Sequence, residues 1–360
     1  MQQALALAEQ ARWHAPPNPW VGCIIVHQDK IVGRGWTQPP GHAHAEIVAL
    51  KEAEGQTQGA TLYVTLEPCC HTGRTPPCVR AIIQAGVSRV LIAQLDPDHR
   101  VSGKGMSQLR EAGIEVLEGL CHDQAVEALL PYLHQRRTGI PYTVLKAAIS
   151  LDGRLAATDG SSQWITSPEA RQEVHLQRAA SQAIVIGTGT ALSDQPRLTV
   201  RHETIHPLIP PLRVLLDAKG RVPPVGPLFD LTLAPTLVVT TDRACHAQKE
   251  AWQAAGIEVM TVANEAKGVN LLETWQMLGA RGILQILVEG GGTLFSELLK
   301  QQLCQQLSIY MGNCLLGIQG APLFQENILN ISQAPRFSLK EVKKFGNSVR
   351  LDYQYHELVS

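Results

Sequence analysis

The stretch Glu67-Pro68-Cys69-Cys70-His71-Thr72-Gly73-Arg74-Thr75-Pro76-Pro77-Cys78, read with His44-Ala45-Glu46 upstream of it, decides how this chain folds. One imidazole and two thiolates, from His44, Cys69 and Cys78, make a soft three-ligand set for Zn²⁺ and leave the fourth tetrahedral position to water, which belongs to catalysis rather than scaffolding. Zinc lowers the pKa of bound water from about 16 toward 7, and a carboxylate that is not itself a ligand can then move the proton. Glu46, two residues from His44, fits that task. Two other readings stay open: buried free thiols, or a closed Cys₃His site that recruits Cys70 and leaves Glu46 without a purpose.

Ligands from separate segments need flanking elements to bring them together, and the neighbouring sequence supplies these. Helical spacing of apolar residues over 3–11 is followed by two strands, 21–26 and 30–33, closing near Gln28-Asp29. A helix over 45–54, a strand over 61–65, a helix over 79–85 and a strand over 89–93 continue the pattern, then a helix near 106–112 and a strand over 115–118. Such alternation predicts an α/β sandwich on a largely parallel sheet. A helix over 123–134 runs into Arg136-Arg137-Thr138-Gly139-Ile140-Pro141, whose polar, Gly- and Pro-marked character predicts a linker. The domains are therefore expected over 1–138 and 139–360. In the second half the strands are expected at 143–149, 183–187, 213–217, 237–240, 258–262, 283–288 and 307–311, with helices at 168–180 and 294–301. Residues 336–355 read as a hairpin turning at Gly346-Asn347. No internal repeat relates the halves.

Composition limits the function. The chain has 360 residues, 44% of them hydrophobic and 18% charged, which is the make-up of a folded globular protein. A net charge of -1 and 5% aromatic residues disfavour a basic, base-stacking nucleic-acid channel. No apolar run approaches the roughly 18 residues of a membrane helix, and residues 1–7 lack the basic flank of a signal peptide. Eight cysteines are too sparse for a disulfide scaffold, so a cytoplasmic location is expected.

His-x-Glu followed by Pro-Cys and a second Cys is the mark of zinc nucleobase deaminases, in which water displaces ammonia from an amidine-type ring carbon. Here the two cysteines stand nine positions apart instead of three. The insertion places His71, Arg74 and Thr75 beside the metal, where they can read polar groups or a phosphate. Together with Pro17-Asn18-Pro19-Trp20-Val21-Gly22, these segments resemble the bifunctional deaminase/reductase of riboflavin biosynthesis. Lys146-Ala147-Ala148-Ile149-Ser150-Leu151-Asp152-Gly153, Ser162-Gln163-Trp164-Ile165-Thr166 and Glu289-Gly290-Gly291-Gly292 extend the resemblance over nearly the whole chain. It implies zinc held by His44, Cys69 and Cys78, Glu46 as proton shuttle, and Asn18, His71 and Arg74 on the pyrimidine substrate or its phosphate. Many relatives carry His where this chain has Thr37. A His stands instead at 42, either as its substitute or as an exposed loop residue.

The second half has its own signal. Glu289-Gly290-Gly291-Gly292-Thr293-Leu294-Phe295 lies between an apolar strand and a helix, where glycines admit a ligand close to the backbone and helix N–H groups attract phosphate. By itself the run is also compatible with a plain turn or C-cap, and Trp164 with either a ring-stacking or a core role. The resemblance implies an N-terminal cytidine-deaminase-like α/β/α sandwich and a C-terminal dihydrofolate-reductase-like α/β domain using NADPH. It assigns Ala148, Trp164, Thr190, Asp194, Gly291, Gly292, Thr293, Leu294 and Phe295 to the cofactor. Ser162, Arg178, Leu198, Arg201 and Glu289 go to the substrate, and Lys146 orients the sugar. Guanidinium forks suit a phosphate, though each Arg also fits an ordinary ion pair. Where relatives use Ser after Asp217, this chain has Ala218, so no cofactor contact is assigned there.

The implied activity is zinc-dependent deamination of 2,5-diamino-6-(5-phosphoribosylamino)pyrimidin-4-one. Reduction by NADPH of the ribosyl side chain of 5-amino-6-(5-phosphoribosylamino)uracil to ribityl follows. The expected partners are small phosphorylated pyrimidines, with no nucleic acid, no membrane and a homo-oligomeric state. Two rivals differ in class: a nucleic-acid-editing deaminase, and a deaminase whose second half only binds a nucleotide or oligomerises.

Overall fold

The apolar alternation after Val21 forms an antiparallel hairpin, β1 (Gly22–His27) and β2 (Lys30–Trp36), turned by Gln28 and Asp29 in the left-handed region (φ 47° and 61°). It belongs to a computed structural model that describes residues 1–72 and 76–355. The chain divides into two compact units, Met1–Ile140 and Pro141–Ser360.

In the first unit β3 (Thr61–Leu66) pairs antiparallel with β1 and parallel with β4 (Arg89–Gln94), which pairs parallel with β5 (Glu115–Glu118). The sheet order is β2-β1-β3-β4-β5. Helices α1 (Gln2–Ala11) and α2 (Ala45–Glu52) approach the sheet so closely that only glycine fits beneath them. A Cβ on Gly22 would lie 1.8 Å from the Ala4 carbonyl oxygen of α1, and one on Gly35 would lie 2.0 Å from that of Ala45 in α2. Gly35 pairs with Cys23, the neighbour of Gly22, and successive side chains on a strand point to opposite faces. The two helices therefore cover opposite faces, as an α/β/α sandwich requires. α3 (Cys78–Gln84) packs on α2, α4 (Lys104–Glu111) on α3, and α5 (His122–Thr138) on α1. The expected linker is corrected at its start: Arg136, Arg137 and Thr138 form the last turn of α5, which Gly139 ends at φ 77°. The polar composition that reads as linker is that of an exposed helix end.

The second unit is built on β6 (Tyr142–Ile149), whose strand leads through a short β7 (Arg154–Ala156) to α6 (Pro168–Ala179) and β8 (Ala183–Gly187). Ser167 caps α6, its Oγ accepting from the Ala170 amide. Next come α7 (Thr188–Asp194), β9 (Leu212–Leu216), β10 (Thr236–Thr240), α8 (His246–Ala254) and β11 (Glu258–Thr261). A small hairpin, β12 (Asn264–Glu265) and β13 (Gly268–Val269), precedes α9 (Leu271–Ala280) and β14 (Gln285–Val288). The unit ends with α10 (Gly292–Lys300), β15 (Gln306–Met311), β16 (Ala321–Pro322), β17 (Phe337–Phe345) and β18 (Ser348–Tyr355). The main sheet runs β11-β10-β9-β8-β14-β6-β15-β18-β17. Its first seven strands are parallel and the closing hairpin β17–β18 is antiparallel. Trp275 of α9 is fully buried and donates its indole N–H to Thr143 Oγ at 2.7 Å, which seats the helix on the central strand β6.

Candidate active sites

In a parallel sheet, ligands bind beyond the carboxyl ends of the strands, and the chemistry-bearing residues of both units lie there. In the first unit, His44 is the N-cap of α2, Cys69 follows the end of β3, and Cys78 opens α3. Their ligand atoms all fall within 4.8 Å of one another. His44 Nδ1 is 3.5 Å from Cys69 Sγ and 3.3 Å from Cys78 Sγ, and the Cys78 amide donates to Cys69 Sγ at 3.3 Å. This soft N, S, S set in one small volume fits zinc in an open site. Cys70 stands apart, with its thiol on the Arg100 carbonyl oxygen at 3.5 Å, so the described residues give no Cys₃His cluster.

Glu46 lies in the first turn of α2, 4% exposed, on the same cavity. Burial, reinforced by the Cys69 thiolate, raises its pKa to about 7. Between the cysteines, the Cys78 thiol and then the His44 ring hold Cys69 down, while the same contact pushes Cys78 up. The cavity, about 440 Å³, is lined also by Asn18 and His71, and His71 Nδ1 is buried with no hydrogen-bond partner among the described residues. Thr37 lines it too but is buried, its Oγ accepting from the Val21 amide at 3.0 Å. His42 is an exposed loop residue that nevertheless borders the cavity. Arg74 and Thr75 lie outside the described residues.

The second unit has a cavity of about 470 Å³ at the ends of β8, β9 and β14, lined by Thr190, Gly291, Thr293 and Leu294 among others. Gly187, Gly189 and Gly291 line it, and a Cβ on any of them would meet nothing within 4 Å, so bare backbone faces open space. Lys219, Arg221 and Arg243 border the same space. Bare backbone, the start of α10 and four cations, Lys267 among them, fit a phosphate-rich dinucleotide such as NADPH.

Beside it, Arg178 grips Glu289 with two bonds, Nε to Oε1 at 2.5 Å and Nη2 to Oε2 at 2.9 Å, while Lys146 Nζ lies 3.7 Å from Oε2. Burial pushes the Glu289 carboxyl up, but the two cations outweigh it and hold it at about 2. Lys146 is lowered, chiefly by burial.

Residues 141–351 match the family model described as RibD C-terminal domain, and residues 1–94 match that of the cytidine and deoxycytidylate deaminase zinc-binding region. Over 356 residues the chain is 42% identical to riboflavin biosynthesis protein RibD of Chlamydia pneumoniae, covering 98% of this chain and 94% of that protein. A solved structure of Acinetobacter baumannii RibD superposes with a TM-score of 0.89 at 36% identity, covering 99% of this chain and 97% of that one. The diaminohydroxyphosphoribosylaminopyrimidine deaminase/5-amino-6-(5-phosphoribosylamino)uracil reductase of Thermotoga maritima does so with 0.86 at 31% identity, covering 99% and 97%. The chain belongs to the RibD family.

The remaining residues expected from the family are more scattered. Arg201 sits near Arg178 with its amide on His175 Nδ1 at 3.2 Å and its guanidinium on Thr199 Oγ at 2.9 Å. Leu198 has φ 51° and packs its side chain into the core with Ile184 and Leu215. Phe295 is 1% exposed, and a Cβ on Gly292 would lie 2.4 Å from the Pro322 carbonyl oxygen, so both turn from the open space toward protein. Trp164 is 68% exposed and not a core residue, with the Arg171 guanidinium 4.3 Å from its ring centroid. Ala148 and Ser162 are half-buried and Asp194 is exposed at the end of α7. Sequence reasoning missed Glu67, Asp96, Asp98, Arg100, Tyr132 and Arg136 in the first cavity, and Asp217, Lys219, Arg221 and Arg243 in the second. Their one legible signal is position: Asp96 and Asp217 follow strand ends.

Proposed function

We propose that the chain catalyses two consecutive steps of riboflavin biosynthesis at two sites. In the first unit 2,5-diamino-6-(5-phosphoribosylamino)pyrimidin-4-one loses ammonia by hydrolysis. In the second the ribosyl side chain of 5-amino-6-(5-phosphoribosylamino)uracil is reduced to ribityl. The observation that carries the reading is the buried Glu46 carboxylate on the same cavity as the His44, Cys69 and Cys78 cluster.

His44, Cys69 and Cys78 hold zinc, which when bound supplies a Lewis acid that activates water at neutral pH. Glu46 is not a ligand. Its carboxylate takes one proton of the attacking water and gives it to the ring nitrogen, then takes the second from the hydroxyl now on the ring carbon and gives it to the amine, which leaves as ammonia as the carbonyl forms, so one residue is base and acid in turn. Asn18, His71 and Arg74 are the residues assigned to the pyrimidine substrate or its phosphate.

Ala148, Trp164, Thr190, Asp194, Gly291, Thr293 and Leu294 hold NADPH, to which Gly292 and Phe295 offer only backbone, and NADPH when bound supplies a hydride. Ser162, Arg178, Leu198, Arg201 and Glu289 face the substrate, and Lys146 orients its sugar. The domains, proposed over 1–138 and 139–360, separate the two chemistries. A cytoplasmic homo-oligomer is the proposed form, with small phosphorylated pyrimidines and neither nucleic acid nor membrane as partners. No described helix is long and apolar enough to cross a membrane.

The test is incubation with the diaminopyrimidine with and without NADPH, following ammonia and NADPH absorbance separately. Ammonia should appear in both reactions, and absorbance should fall only as deaminated product accumulates. Ammonia without any NADPH oxidation would reduce the second unit to a binding module.

A further inference from the structure

The first cavity has a second polar wall, built by the loop after β4 and the last turns of α5. Asp96 and Asp98, each 6% exposed, organise it. Both oxygens of Asp96 accept from the Tyr132 hydroxyl, at 3.1 and 3.0 Å, and Oδ1 also accepts from the Asp98 amide at 2.9 Å. Asp98 takes Arg100 in a fork, Oδ1 from Nε at 2.9 Å and Oδ2 from Nη2 at 2.6 Å, and has Arg136 Nε 3.6 Å away. The Arg136 guanidinium lies 5.0 Å from the Tyr132 ring centroid. Glu67, the remaining acid of this wall, is occupied by the amides of Asp96, Gly103 and Met106.

The carboxylates of the wall thus spend their acceptors inside the protein, whereas the guanidiniums keep donors in reserve. Arg136 spends Nη1 on the Gln135 side-chain oxygen at 2.6 Å and turns its buried Nε toward the Asp98 carboxylate, so what it can offer the cavity is the remaining edge of its guanidinium. Arg100 uses Nε and Nη2 on Asp98, and its side chain stays 53% exposed. Among the described residues that line this cavity, Arg100 and Arg136 are the only Lys or Arg.

We propose that Arg100 and Arg136, set in place by Asp98 and Tyr132, form the subsite that receives the phosphate of the deaminase substrate. This rests on the deaminase reading above. The zinc cluster and Glu46 claim the pyrimidine amine, which leaves the phosphate to the part of the cavity where fixed guanidinium donors stand. Planar guanidiniums match phosphate oxygens in geometry and charge, and a pair pre-oriented by a buried carboxylate loses little freedom when the anion arrives. Arg136 and Arg100 act on affinity and substrate choice, with no part in the proton transfers.

The test compares the phosphorylated diaminopyrimidine with its dephosphorylated ribosylamino analogue, scored by initial rates of ammonia release. Wild-type protein must first deaminate the phosphorylated compound; if it does not, the deaminase reading fails and not this subsite. In Arg136→Met, Asp98 keeps its fork with Arg100. KM for the phosphorylated substrate should rise about ten- to a hundredfold, the usual scale for lost hydrogen bonds to a charged group. Its kcat and the kinetics on the analogue should stay within about threefold, and Arg136→Lys should recover part of the loss. An unchanged KM, or an equal loss on both compounds, would overturn the proposal and leave Arg136 a structural ion pair. Should Arg136→Met fail to fold, Arg100→Met serves in its place: a KM rise confined to the phosphorylated compound supports the subsite, and an unchanged KM or an equal loss on both compounds overturns it.

Discussion

At the scale of single residues, His44, Cys69 and Cys78 meet because each stands where a regular element begins or ends. Two of the three flank helix N-termini, where the partial positive charge of unsatisfied N–H groups favours a thiolate and a carboxylate. Cys78 supplies both a sulfur and the backbone amide that donates to Cys69 Sγ. Cys78→Ser keeps the backbone but removes one soft ligand. Bound zinc should fall from about one per chain toward zero, with deamination lost in parallel. Metal analysis beside ammonia release checks this, and active protein without zinc would contradict it. At the other site, Glu289 shows the opposite use of burial: two cations overcome desolvation, so this carboxylate stays ionised where Glu46 is poised near neutrality.

Elements position these residues through close backbone approach. Gly33 and Gly35 of β2 lie under α2, the helix that starts at His44 and carries Glu46, and a Cβ at Gly35 would sit 2.0 Å from the Ala45 carbonyl oxygen. That oxygen is backbone and cannot swing aside. Gly35→Ala must therefore lift the start of α2, at an overpacking cost of about 1–3 kcal/mol. The expected result is a lower unfolding temperature with deamination reduced at least about tenfold, since misplacing a reacting group by an ångström costs on the order of a hundredfold. NADPH oxidation with deaminated product should be unaffected. Thermal unfolding and the two assays together decide it; normal deamination would show that α2 tolerates the shift.

The same elements show what the sequence makes legible. Strands of the core and the Gln28-Asp29 and Gly346-Asn347 turns carry strong local signals, and they form within a residue or two of their expected limits, except β2, which runs three residues past its expected end. α7 and α8 were out of reach: α7 has seven residues, and α8 buries only Trp252, so neither shows an apolar stripe. α9 carries Leu271, Trp275 and Leu278 at helical spacing, a signal present but outside the expected series. The zinc cluster was legible because ligand chemistry restricts residue types. The Asp98, Arg100 and Arg136 wall was not, because Asp98 and Arg136 are far apart in the chain and ordinary in type.

For the whole molecule, each compact unit carries its own cavity at its own strand ends, one with a buried carboxylate beside soft metal ligands, the other with bare glycine backbone and cations. We propose that these are two chemically independent active sites on one chain. Glu46→Ala separates them, because it removes the general acid and base while touching neither a metal ligand nor the second unit. Such groups are typically worth about 10² to 10⁴ in rate, and one residue here serves both transfers, so deamination should fall toward the upper end or beyond. The decisive measurement follows zinc content, ammonia release and NADPH oxidation in the same Glu46→Ala preparation. Zinc should be retained, almost no ammonia should come from the diaminopyrimidine, and NADPH should be oxidised at the wild-type rate when the deaminated product is supplied. Deamination within a few-fold of wild type would contradict this and remove Glu46 from the mechanism.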